Sequence, residues 1–95
     1  MSQKIYRNSV QIMGDVLTHT RDAGQEGIST RMLMHKANMP YSRLNTFLDN
    51  LTGSGLINKI LFDGKNSYIL TQKGIQFLDE YKKFAEFAYS FGLEI

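Results

Sequence analysis

Cysteine and tryptophan are absent from this 95-residue chain, and proline occurs once. Without thiols there is no disulfide framework, no cysteine-ligated zinc ribbon and no thiol nucleophile, a usage that fits a reducing, intracellular setting. His19 and His35 lie too far apart for a helical pair and have no cysteine partners, so no structural metal is expected. No apolar run approaches the roughly 18 residues of a membrane span. The opening segment MSQKIYRNSV lacks the apolar core of a signal peptide. A cytoplasmic protein without membrane contact is the expectation. The residues also lack a glycine-rich phosphate loop, an HExxH pair, a nucleophile elbow and a usable grouping of Ser, His and acid. Asp15, Asp22 and Glu26 flank a glycine turn and read as solvated carboxylates. Asn50-Leu51-Thr52 matches the glycosylation acceptor by chance, because Leu51 falls on the apolar side of a helix. Nothing points to catalysis or to a cofactor.

At this length one compact domain, residues 1–95, is expected. Apolar residues at Ile5, Val10, Ile12, Met13, Val16 and Leu17 recur at helical spacing and predict an amphipathic first helix that ends before Asp22. The segment Asp22 to Gly27, with two glycines, reads as a turn and not a strand. Ile28-Ser29-Thr30 offers hydroxyls that cap a short second helix, about Arg31 to Ala37, with Met32, Leu33, Met34 and Ala37 available for burial. Asn38-Met39-Pro40 breaks it, and Pro40 suits a new helix start.

The third helix, Tyr41 to Thr52, carries Leu44, Phe47, Leu48 and Leu51 on one face and Ser42, Arg43, Asn45, Thr46, Asp49 and Asn50 on the other; Gly53-Ser-Gly55 ends it. Branched and aromatic residues then mark two strands, Leu56 to Phe62 and Ser67 to Leu70, around Asp63-Gly64, a strong two-residue hairpin signal. Thr71-Gln72-Lys73-Gly74 opens a last helix that runs through Phe91, dividing the chain into residues 1–70 and 71–95. The class is α+β, mostly α. Two helices joined by a tight turn and followed by a hairpin make a winged helix-turn-helix of three helices and a β-hairpin wing, with a C-terminal helix added.

A helix that reads the major groove of DNA needs an apolar stripe to hold it and an opposite face of short polar and basic side chains. The third helix supplies both. Arg43 fits the forked geometry of guanine or clamps a phosphate, Asn45 fits adenine, and Ser42 and Thr46 lie near the helix start, where hydroxyls and amides meet phosphate. Tyr41 either fills the core or offers its hydroxyl to the backbone. Lys65 and Asn66 stand at the wing tip, with Asp63 disfavouring close approach to DNA, and Arg31 opens the helix that crosses the phosphates. The same residue types also occur on any solvated helix or hairpin. The net charge is +2 at a sequence pI of about 9.0, but its distribution is uneven. Residues 28–73 hold six basic and two acidic groups, a net of +4; those before sum to zero and those after to −2. A basic footprint of this size predicts a few phosphate contacts per subunit and salt-weakened binding.

In the last helix, Phe77, Tyr81, Phe84, Ala88 and Phe91 follow alternating steps of four and three, the seam of a two-stranded coiled coil, bordered by Ile75, Leu78 and Ala85. So wide an apolar surface predicts burial against a second copy, supported by the first helix, although packing along the chain's own first helix would also use it. The prediction is therefore a homodimer that binds double-stranded DNA, as a transcription regulator or small nucleoid protein. The alternative is a protein-interaction module docking another protein through the aromatic helix.

The run Thr30 to Met34, then Ala37 to Tyr41, Leu44, Phe47-Leu48, Leu51, Gly55-Leu56-Ile57 and Leu70 to Gly74, resembles an archaeal winged-helix DNA-binding family over roughly residues 10–91. That family includes small crenarchaeal chromatin-type proteins that dimerise through a long C-terminal antiparallel coiled coil. The resemblance implies an archaeal DNA-binding protein with Ser42, Arg43, Asn45 and Thr46 in the major groove. Two departures stand out: Pro40 occupies a position where relatives tend to have a serine cap, and the last helix is short beside the long-armed members. The resemblance therefore implies a more compact dimer.

Overall fold

The computed structural model describes residues 8–93, so the helical signal at Ile5 lies outside the described residues. Helix α1 spans Ser9–Ala23 and starts at a reciprocal cap. The Asn8 side chain accepts from the Gln11 amide at 2.8 Å, and the Gln11 side chain accepts from the Asn8 amide at 3.1 Å. A single turn of 3-10 helix, Gly24–Glu26, follows, so the glycine-bearing segment does turn.

Ile28–Ser29 does more than precede a helix, the role its sequence suggests: it forms strand β1, paired antiparallel with the second strand of the hairpin. Ser29 does both jobs. Its backbone opposes Ser67 in the sheet while its hydroxyl accepts from the Met32 amide at 3.1 Å, capping helix α2, Thr30–Ala37. Leu33 and Ala37 are buried as expected, but Met32 is exposed, because it lies on the side of α2 turned away from the core. Helix α2 ends at Asn38, which takes the left-handed conformation at φ 56°. A short polar side chain tolerates that region better than a branched one.

Helix α3, Tyr41–Gly53, buries Leu44, Leu48 and Leu51 in the main core with Ile12, Val16, Leu17, Leu33 and Ile57. At its C-terminus the Leu56 amide reaches back to the Leu51 carbonyl at 3.0 Å, with Gly55 at φ +80°. A side chain at that φ would be strained, so Gly55 allows the chain to leave α3 and enter β2, Ile57–Phe62. Strand β3 is Lys65–Leu70. Asp63 at φ 52° and Gly64 at φ 75° form the two-residue turn whose twist matches the strands. The register pairs Phe62 with Lys65, Leu61 with Asn66 and Lys59 with Tyr68, in a sheet ordered β1-β3-β2.

Thr71 then starts helix α4, Gln72–Ser90. Its hydroxyl donates to the Gly55 carbonyl at 2.6 Å and accepts from the Gly74 amide at 2.9 Å, while its own amide donates to the Leu56 carbonyl at 3.1 Å. Gly74 is buried at the same place, and a Cβ there would collide with the Leu56 carbonyl oxygen and the Leu70 side chain. Further along, Leu78 enters the core and the ring of Tyr81 lies over Gly14 of α1. Gly14 is what lets these two helices approach, since a Cβ would clash with the edge of the ring. Burial, and secondarily the negative Asp15, raise the Tyr81 hydroxyl above its ordinary pKa.

Two outcomes follow. Gly74→Ala should lower the melting temperature by roughly 10 °C or more, through overpacking against backbone that cannot yield, as read by circular dichroism. Because the folded-state pKa of Tyr81 is raised, its contribution is complete below about pH 10 and is lost as pH rises through the folded value. Tyr81→Phe should therefore flatten the decline in stability above pH 10 and leave neutral-pH behaviour nearly unchanged; an identical alkaline slope would refute this.

Candidate nucleic-acid interface

The three leucines that anchor α3 leave its opposite face in solvent. Tyr41, Ser42, Arg43 and Thr46 are exposed there, and Asn45 is half-buried. Of the two options for Tyr41, the structure takes the outward one. The Thr46 hydroxyl sits 3.4 Å from the Ser42 carbonyl, a weak contact that leaves it available to other acceptors. Pro40 is the N-cap and supplies no side-chain oxygen, so the first amides of α3 have no side-chain cap. Uncapped amides and the positive end of the helix dipole reinforce Arg43 at this end. Asp49, also exposed, lies nearly two turns on, and no basic residue occupies the last turn. Positive potential on α3 is thus concentrated at its start.

Arg31 is exposed on α2 and shares an open hollow of about 500 Å3 with His35, Asn38 and Pro40, which brings it beside the start of α3. His35, weighed in the sequence only as a metal ligand, stands one helical turn after Arg31 and therefore on the same face. Lys65 and Asn66 are exposed at the hairpin, on opposite faces by strand alternation. Lys65 lines a second hollow, about 380 Å3, with Asp63, Phe62, Met32 and Lys36. Lys36 is one of the six basic residues counted in 28–73, but the sequence reading assigned it no place at the site. Its signal was spacing too: it follows Met32 by one turn, and both border the wing. Among the described residues the ion pairs are Arg21–Asp22 at 3.2 Å and Glu80–Lys83 at 3.6 Å, both exposed; neither involves Arg31, Arg43 or Lys65. No group of three or more metal-ligating side chains occurs among the described residues, and no described helix is long and apolar enough to cross a membrane.

The structure divides the five-residue seam of α4 between two surfaces. Ala88 is buried, and Tyr81 is half-buried with its ring against Gly14 of α1 in the same chain. Phe77, Phe84 and Phe91 point outward, 41%, 57% and 68% exposed. Phe87 joins them, its ring 5.1 Å from that of Phe91 in an edge-to-face pair. The division is geometric. Residues 77, 84 and 91 are seven apart and drift slowly round the helix, while Gly74, Leu78, Tyr81, Ala85 and Ala88 form the neighbouring stripe turned inward.

A winged helix-turn-helix family model matches residues 6–89. No curated protein is detectably similar. Among solved structures, the chain is similar to Sso10a-2, a DNA-binding protein from Sulfolobus solfataricus, at 25% identity and a TM-score of 0.65, over 88% of this chain and 87% of that one. It is also similar to the transcriptional regulator BldR from the same organism, at 22% identity and a TM-score of 0.68, over 77% of this chain and 52% of that one. A third is a MepR mutant from Staphylococcus aureus bound to an oligodeoxyribonucleotide, at 18% identity and a TM-score of 0.70, over 84% of this chain and 61% of that one. The chain thus spans little more than half the length of these two regulators. By the extent of the family match and the order of its elements, this chain belongs to the winged helix-turn-helix family.

Proposed function

We propose that the protein binds double-stranded DNA as a homodimer, in the cytoplasm, as a transcription regulator or small nucleoid protein. The observation that carries this reading is the start of α3: Ser42, Arg43 and Thr46 exposed beside uncapped amides, on a helix whose other face is locked into the core. A helix presented this way suits the major groove, with Arg43 and Asn45 reading base edges and Tyr41, Ser42 and Thr46 meeting the backbone. Arg31 flanks it on the phosphates, and Lys65 and Asn66 act from the wing. The likeness to a DNA-binding protein along most of both chains supports the same reading.

For the dimer, the support is the outward stripe Phe77, Phe84 and Phe91, with Phe87 beside it. Aromatic rings this exposed and this regularly spaced favour a helix partner, and pairing two copies supplies two reading helices for two half-sites. Tyr81 supports that interface from behind, by holding α4 against Gly14 of its own protomer, and the buried Ala88 lies on the same inward stripe. The second reading, docking of a different protein, uses the same stripe.

Two measurements separate these. In fluorescence anisotropy with duplex DNA, Arg43→Ala should weaken binding by about 1–3 kcal/mol, and Lys65→Ala should reduce the salt slope by about one. Unchanged, salt-insensitive affinity in both variants would overturn DNA binding. In analytical ultracentrifugation, the wild type should sediment as a dimer and Phe84→Glu as a folded monomer. A wild-type monomer would overturn the dimer and favour docking.

A further inference from the structure

Leu61 is the large apolar side chain that the fold explains least: it sits in a strand, yet 70% of its surface is exposed. Its neighbours give it a setting. Strand alternation places Ile57, Lys59 and Leu61 on one face of the hairpin, and the register adds Leu70, Tyr68 and Asn66 opposite them. The inner end of this face, Ile57 and Tyr68, is buried in the core cluster that also holds Leu44, Leu48 and Leu51 of α3. Towards the turn the core runs out, and the face ends in Lys59, Leu61 and Asn66, all exposed. A branched apolar group thus projects from the ribbon between a cation and a carboxamide, on the side of the sheet that joins α3. Asp63, the acid of the turn, borders the hollow shared by Phe62, Lys65 and Lys36, which opens on the other face.

This trio has the chemistry of a minor-groove contact. The groove floor presents hydrogen-bond acceptors and its walls are phosphates, and apolar wedges entering it unstack a base step and kink the duplex. We propose that Leu61 is such a wedge: Lys59 meets a phosphate, Asn66 donates to base-edge acceptors, and Leu61 enters at a base step and bends the DNA. Charge complementarity and continuity with the reading helix select duplex DNA as the occupant. The inference rests on the DNA-binding reading and adds to it a mechanical action, located on a residue with no charge.

Energy transfer between dyes at the two ends of a short duplex reads the bend, and anisotropy on the same duplex reads affinity, both with the full-length chain. Wild type should bend the duplex by about 20–90°. Leu61→Ala should keep the wild-type melting temperature, since little of Leu61 is buried, and should bind within about tenfold of wild type, because phosphate contacts dominate affinity. It should leave the duplex nearly straight, while Leu61→Met restores the bend. Equal bending by wild type and Leu61→Ala, or a straight duplex in the wild-type complex, would overturn the wedge and leave DNA binding standing. A wild-type chain that binds no duplex would overturn both.

Discussion

The Leu56 carbonyl and the Thr71 hydroxyl hold together the parts of the molecule that act. At that junction the end of α3, the end of β3 and the start of α4 meet within four hydrogen bonds, and the missing side chain of Gly74 lets them close. Three of the bonds serve the loop after α3, and the fourth caps α4. The direction in which α4 departs is therefore tied to the direction in which α3 arrives. In a dimer joined through α4, the distance between the two reading helices would be inherited from this junction and not from the loops near DNA. Half-site spacing is a geometric property of that kind.

The charge is arranged with similar economy. The total of +2 is small, yet residues 28–73, which span α2, α3, the hairpin and the first residues of α4, carry a net +4, against −2 for the residues that follow. Two exposed acids stand near this surface. Asp49 is displaced along α3 from the basic start, and Asp63 borders the hollow that holds Lys36 and Lys65. A modest number of charges suffices when helix dipole, uncapped amides and side chains act at one place.

Much of the fold was legible because its signals are local. Asp63-Gly64 announced a two-residue turn, Asn38-Met39-Pro40 a helix break, and Thr71 a cap, and each is decided within four residues of chain. Strand β1 was hidden for the opposite reason. Two residues have no periodicity, and Ile28 and Ser29 become a strand only through Tyr68 and Ser67, far along the chain. Exposure on α4 was also beyond local reading. A heptad pattern shows which residues share a stripe, but only the partner helix decides which stripe it covers, and Gly14 in α1 drew Tyr81 inward. At the candidate site, the polar face of α3 was readable from its leucine spacing. The exposure of Leu61 and Met32 was not, because both have the composition of core residues and lie where the core ends.

The two-residue turn carries one more consequence. It sets the register that puts Lys59, Leu61 and Asn66 on one side of the ribbon and Phe62 and Lys65 on the other. Lengthening each strand by a single residue would turn the tip over and exchange the two sets, because side-chain direction alternates at every step, whereas one extra residue in one strand alone would leave a bulge. Substitution can therefore alter the chemistry of the wing one side chain at a time, whereas an added pair of residues, one in each strand, exchanges its two surfaces in a single step.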